Sequence, residues 1–324
     1  MYTSTDLEAK INSAINKLDY EKEPQTLFNP IVYTLSLGGK RLRPILAYMG
    51  TNLFTDNIDI TTPSAVAIEI FHNFSLLHDD LMDNASIRRG EPAVHKKWNA
   101  NTAVLSGDAM LIDAYNYITK VPEEVLSSIL EIFTITAMEV CKGQQYDIDF
   151  ETCLNVKESE YLEMIRLKTA VLLAASLKIG AILGGADEED ADRLYNFGIN
   201  IGLAFQLKDD LLDVYGDPDN FGKEIGGDIL SNKKTFLLIK ALEKSDKKNN
   251  AILQKWISAK SFDSEAKINA VKKIYDELNL HSTTDKLIQK YYIAALNCLL
   301  EVSVSGDRKK ELLIYTNKIM NREK

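Results

Sequence analysis

Apolar residues recur three or four positions apart along most of the chain. In the window 129–143, Ile129, Ile132, Phe133, Thr136 and Val140 share one register, the spacing of a single helix face. Apolar runs over 65–77 and 199–207 read the same way. The most apolar run, 170–186, carries Lys178 and is short of the ~20 apolar residues a bilayer span requires. It predicts a buried core helix, and no segment predicts a membrane span. Period-two alternation is scarce, which argues against sheet-based folds. Of the 7 prolines, only Pro218 lies beyond Pro122. Long proline-free stretches rich in Leu, Ile, Ala, Lys and Glu favour helix, because proline breaks the helical ladder and these residues do not. The expectation is an all-α chain.

At 324 residues and 45% hydrophobic content the chain can bury a large core. Length alone suggests about two domains of ~150 residues. No Ser/Gly/Pro-rich linker, low-complexity tract or solenoid repeat divides it, so residues 1–324 are expected to form one helical domain. The net charge of -9 argues against a nucleic-acid binder, which needs a basic face. Cys141, Cys153 and Cys298 are odd in number and lack metal-site spacing. They predict free thiols in a reducing cytoplasm. The segment Met1–Asp6 lacks the basic-then-apolar order of a signal peptide.

One pattern occurs twice: Asp79-Asp80-Leu81-Met82-Asp83 and Asp209-Asp210-Leu211-Leu212-Asp213, each after an apolar helical run. Residues four apart share a helix face, so Asp79 lies beside Asp83 and Asp209 beside Asp213. Like charges at that spacing destabilise an isolated helix, and Asp is a poor helix former. A local cost incurred twice points to function rather than solvation. Hard oxygen ligands suit magnesium, which is held by one or two carboxylates together with substrate phosphates.

The cations complement these clusters. Gly38-Gly39-Lys40-Arg41-Leu42-Arg43-Pro44 places three cations at a predicted helix start, against the macrodipole. A bound anion would resolve the conflict. Arg88-Arg89-Gly90 follows the first acidic cluster, Lys168-Thr169 interrupts an apolar helix, and the glycine-rich segment 216–234 carries Lys223, Lys233 and Lys234. Arginine's planar fork binds phosphate bidentately, and a glycine-rich loop can close over an anion.

Together these motifs, in this order from Gly38 to Thr235, resemble the trans-type isoprenyl diphosphate synthases, which include farnesyl and geranylgeranyl diphosphate synthases. The resemblance implies the isoprenoid-synthase helical bundle with a central active-site cavity, magnesium (three ions with diphosphate bound), a homodimer, and isopentenyl and allylic diphosphates as substrates. It assigns Asp79, Asp80, Asp83, Asp209, Asp210 and Asp213 to the metal motifs, with Asp79, Asp83 and Asp209 as the foremost direct ligands. Lys40, Arg43, His72 and Arg89 match the isopentenyl diphosphate site. Arg88, Lys168, Lys223 and Lys233 match contacts to the allylic diphosphate. Thr169, Gln206 and the Lys168 carbonyl match groups that face the developing allylic cation. Between Lys223 and Asp228 the spacing is one residue longer than in some members. Two alternatives share parts of the pattern. A class I terpene cyclase usually replaces the second Asp-Asp-x-x-Asp, and a non-catalytic subunit of a heteromeric synthase would be expected to lose motif aspartates; both motifs are intact here.

Product length is expected to be set upstream of the first cluster, on its own helix. Phe74 lies about 7.5 Å along the axis before Asp79, and Phe71 about 12 Å, at ~1.5 Å per residue. Ser75, between Phe74 and the cluster, is small. In the resembled family, bulky aromatics at both the fifth and fourth positions before the cluster go with fifteen carbons, and a single aromatic at the fifth goes with geranylgeranyl-type products. Phe74 beside the small Ser75 therefore leads to an expected product of fifteen to twenty carbons, leaning to twenty.

Overall fold

The computed structural model describes residues 1–153, 155–216 and 226–321. The all-α expectation holds. Among the described residues the strands are Ile87–Arg88 and Glu91–Pro92, an antiparallel pair that forms one small hairpin. The chain clusters into two compact units. One comprises Met1–Thr136, Leu172–Tyr195 and Glu301–Leu313, and the other Ala137–Val171, Asn196–Leu300 and Ile314–Lys324.

In the first unit the long helix Thr62–Met82 is buried on nearly every side from Ser64 to Phe71, as expected for a run apolar all round. Pro63 sits in its first turn, where a missing N–H costs nothing. The apolar run predicted over 170–186 is the helix Val171–Leu183. It crosses Leu42–Asn52 at near backbone contact. A Cβ on Gly180 would lie 1.9 Å from the Ala47 carbonyl oxygen, and one on Gly50 2.4 Å from that of Leu177. Lys178 keeps its ammonium at the surface by pairing with Asp192, the snorkelling expected of a lysine on an apolar helix.

In the second unit Tyr161, Leu207, Leu211, Phe236, Leu253, Tyr275 and Leu280 form one core. Its helices start on side-chain caps. Thr235, Asp246 and Asp263 accept the N–H groups of Leu238, Asn249 and Ala266, which satisfies donors that each helix start leaves orphaned. No described helix is long and apolar enough to cross a membrane.

Candidate active site

The first acidic motif ends the helix Thr62–Met82. Asp83 is its C-cap, with its N–H on the Asp79 carbonyl at 2.9 Å, so Asp79 and Asp83 keep the one-turn spacing predicted for them. Asp80 points elsewhere. It is 4% exposed and accepts from Arg88 Nε at 3.0 Å on each carboxylate oxygen. Arg88 also stands 3.7 Å from Asp79. The hairpin explains how Arg88 arrives there. Its pairing of Arg88 with Glu91 leaves Arg89 and Gly90 as a two-residue turn. Both have positive φ, 54° and 82°, the form that matches strand twist. Arg89 then reaches back to donate to the Gly38 carbonyl. A Cβ on Gly39, whose φ is 131°, would meet the Arg89 guanidinium at 2.7 Å. Glycine is required there on both counts.

The other basic groups of this unit gather beside the hairpin. Arg43 donates to His72 Nε2 at 3.1 Å, so the imidazole is neutral with its proton on Nδ1. Burial, Arg43 and three further guanidinium groups hold His72 well below the usual histidine range. Burial pushes Arg43 down to about 10. Arg43 Nε is buried and finds no acceptor in the protein. An orphaned guanidinium donor next to Arg89 is a place where an anion restores balance. The expectation that one anion offsets all three cations of the Gly38–Pro44 loop needs a correction. Arg41 turns inward, 6% exposed, and pairs with Glu69 at 2.6 Å. It also donates to the Leu35 carbonyl at 3.0 Å. Removing either partner of such a buried pair costs about 3–5 kcal/mol. Arg41 thus anchors the loop, while Lys40 stays on the surface.

Further up the same helix the proposed floor residues lie in an aromatic cluster. Phe71 contacts Phe74 at 5.5 Å between centroids and Phe133 at 5.4 Å, and Phe133 contacts Tyr115 at 5.1 Å. Ser75 donates its hydroxyl to the His72 carbonyl at 2.8 Å.

The second acidic motif lies on the helix Glu188–Tyr215. Its middle carboxylate is again buried, with Asp210 3% exposed. Its partners are neutral. The Tyr161 hydroxyl donates to one oxygen, and Gln206 Nε2 to the other at 2.9 Å. Burial, with Asp228 nearby, raises Asp210 above the ordinary carboxylate range. Thr169 donates to Gln206 Oε1 at 3.1 Å. Thr169, Gln206 and Asp210 therefore form one hydrogen-bonded line, and Lys168 is the next residue along. Residues Arg166–Ala170 form a π turn, in which the Val171 N–H returns five residues to the Arg166 carbonyl. Such turns recur at functional sites.

Lys168 donates to Asp147 at 2.6 Å. Asp147 lies on the helix Glu123–Thr152 and was missed by the sequence reading. The signal for it was Gly143, a mid-helix glycine one turn earlier. A Cβ there would lie 2.3 Å from the Lys168 backbone nitrogen, so only glycine lets the π turn approach. Asp213 accepts the Asp228 N–H at 3.0 Å, and Lys233 stands 4.0 Å from Asp228. Lys223 lies outside the described residues. Among the described residues no three His, Cys, Asp or Glu side chains converge as a ready-made metal cage. In each motif the middle carboxylate is committed to protein donors.

The polyprenyl synthetase family model matches residues 24–278. The chain belongs to that family, the trans-prenyl diphosphate synthases. The match extends past both ends of the motif region that carried the resemblance in sequence. A geranylgeranyl diphosphate synthase of Methanosarcina mazei is 42% identical over 239 residues, covering 73% of this chain and 74% of that protein. A crystal structure of a geranylgeranyl pyrophosphate synthase superposes with a TM-score of 0.94 at 40% identity, covering 100% of both chains. A polyprenyl synthase from Caulobacter crescentus, crystallised with calcium and isoprenyl diphosphate, is 28% identical with a TM-score of 0.87, covering 98% of this chain and 94% of that one.

Proposed function

We propose that this family member condenses isopentenyl diphosphate with an allylic diphosphate to give a prenyl diphosphate of fifteen to twenty carbons, leaning to twenty. The observation that carries the reading is the pairing, in one family member, of two Asp-Asp-x-x-Asp motifs with a basic cluster whose Arg43 Nε lacks a protein acceptor. The geranylgeranyl synthases among its relatives favour twenty carbons.

Asp79, Asp83, Asp209 and Asp213 are the carboxylates that would hold divalent ions, of which magnesium is our candidate. The donor set fits, since magnesium needs only one or two carboxylates when phosphate oxygens complete its shell. Bound ions would supply electrostatic stabilisation of the departing diphosphate. Asp80 and Asp210 act from behind, by orienting Arg88 and Gln206. Arg88, Lys168, Lys233 and Lys223 contact the allylic diphosphate and balance the charge that grows on it as the allylic C–O bond breaks. Lys40, Arg43, His72 and Arg89 hold isopentenyl diphosphate, with neutral His72 orienting the Arg43 fork. The Lys168 carbonyl, the Thr169 hydroxyl and Gln206 Oε1 present oxygen dipoles to the allylic cation. The isopentenyl double bond attacks that cation, and the released diphosphate takes the proton that leaves. A reducing cytoplasm suits the exposed thiols of Cys141 and Cys153, and a homodimer would cover the exposed apolar Leu105, Ile112 and Ile135.

Incubating the purified chain with isopentenyl diphosphate and each of dimethylallyl, geranyl and farnesyl diphosphate, with chain analysis of the products, tests the reading. Condensation that needs magnesium and stops with chelator supports it. Chelator-resistant condensation, or no product from any primer, would overturn it.

A further inference from the structure

Lys267 is a buried cation with no part in the mechanism above. It lies on the helix Ser264–Glu277 and is 1% exposed. Its ammonium donates to the Leu230 carbonyl at 3.0 Å and to Asn232 Oδ1 at 2.8 Å, and stands 4.2 Å from the Phe262 ring centroid. These partners account for the three N–H directions of an ammonium, and none carries a negative charge. Desolvating a lysine for neutral partners is unfavourable. Its use must lie in what it fixes.

What it fixes is the segment 226–235. At one end the Gly226 N–H bonds the Asp213 carbonyl at 2.7 Å, and the Asp228 N–H bonds the Asp213 carboxylate at 3.0 Å. Gly226 also packs on the Lys267 helix: a Cβ there would lie 2.7 Å from Ile268. The short helix Gly227–Leu230 follows, and the turn after it is held at Leu230 and Asn232 by Lys267. Asn232 has φ 56° and also donates to the Ile257 carbonyl at 3.2 Å. Lys233 comes next, with its N–H on the Asp228 carbonyl at 2.9 Å. The segment is thus tied to the second acidic motif at one end and to Lys267 at the other. Lys233 follows directly on the residue that Lys267 grips.

We infer that Lys267 is a positioning residue for the allylic diphosphate: by fixing Leu230 and Asn232 it sets where the Lys233 ammonium meets the substrate. The inference rests on the proposed contact between Lys233 and that diphosphate. Lys267→Met keeps the unbranched apolar stem, one atom shorter, and removes the grip. Asn232→Gly removes one acceptor and tolerates the positive φ; it carries the test should Lys267→Met fail to fold. Each is expected to raise KM for geranyl diphosphate about tenfold, the scale of one charge-assisted hydrogen bond, and to move KM for isopentenyl diphosphate less than about twofold. Lys233→Gln should show the same split, and the double variant with Lys267→Met should be no worse than Lys233→Gln alone, because both changes act through one contact. If Lys233→Gln shows the split while Lys267→Met and Asn232→Gly show only a lower Tm, the inference falls and the reading of Lys233 stands. If Lys233→Gln leaves the geranyl diphosphate KM unchanged, the reading of Lys233 falls and takes the inference with it. Additive effects in the double variant would also overturn it.

Discussion

The two acidic motifs share a pattern and differ in what holds their middle carboxylate. Asp80 is gripped by a cation, Arg88. Asp210 is gripped by two neutral donors, Tyr161 and Gln206. In the first motif the inner aspartate settles the direction of a guanidinium that stands 3.7 Å from Asp79. In the second it ends a line of hydrogen bonds that starts at Thr169. The same residue type therefore organises charge in one place and dipoles in the other. In the proposed roles Asp80 thereby serves a diphosphate contact, Arg88, and Asp210 serves the cation-facing oxygens of Thr169 and Gln206.

The outer aspartates should not share the difference. Asp79→Ala and Asp209→Ala are each expected to lower kcat by about 10²–10³, the scale of one preorganised electrostatic contact, while circular dichroism stays near native. A large loss from one and none from the other would mean that only one motif handles metal. Gly143→Ala should act through the second motif alone. Its Cβ would lie 2.3 Å from the Lys168 nitrogen, so the π turn must move. A misplacement of about 1 Å can cost up to about 10² in rate, and overpacking about 1–3 kcal/mol. Turnover and thermal melts measure both. A Gly143→Ala enzyme with native kcat would mean that the π turn does not position the reacting groups. The inner aspartates then give the direct contrast. Asp80→Asn should cost about 1.5–3 kcal/mol, since it weakens a charge-assisted pair, and should free Arg88 towards Asp79. Asp210→Asn retains an acceptor among neutral partners and should cost less in both stability and kcat. The reverse order would remove the distinction between the motifs.

How much of this was legible depended on whether a residue acts through its own chemistry or through what it packs against. The helices could be read because their apolar spacing is local, and the motifs because carboxylates four apart on a helix are a local cost. Thr169 and Gln206 are far apart in sequence, yet the family resemblance named both, and the structure joins them at 3.1 Å. Charge alone groups Arg41 with Lys40 and Arg43, whereas the family resemblance assigned only Lys40 and Arg43 to the site. Glu69, a buried carboxylate on another helix, is what holds Arg41 apart from them. Asp147 and Lys267 left almost no trace, since a single polar residue on a helix reads as solvated until its partner is known. The Arg89-Gly90 turn carried a usable signal in its glycine, but two-residue strands are too short for any periodicity.

The smallest expected effect on rate is a change of product, and it confines itself to the first unit. Phe74 is 8% exposed and Phe71 1%, so Phe74 is the more accessible of the two candidate floor residues. Phe71 is enclosed by Phe74 and by Phe133, which leans in turn on Tyr115. Phe71→Ala would therefore open a cavity in a packed cluster, at about 3–5 kcal/mol, and would confuse length control with unfolding. Phe74→Ala is the cleaner test. It should shift the product distribution to longer chains with kcat changed only a few-fold, because the reacting groups near Asp79 lie about 7.5 Å away along the axis. Ser75→Phe should shift it the other way, by adding a ring beside Phe74 at the cost of one hydroxyl bond to the His72 carbonyl. Chromatography of the dephosphorylated products reads both. If neither substitution moves the distribution, the floor lies on another helix, and the aromatic cluster serves the core alone.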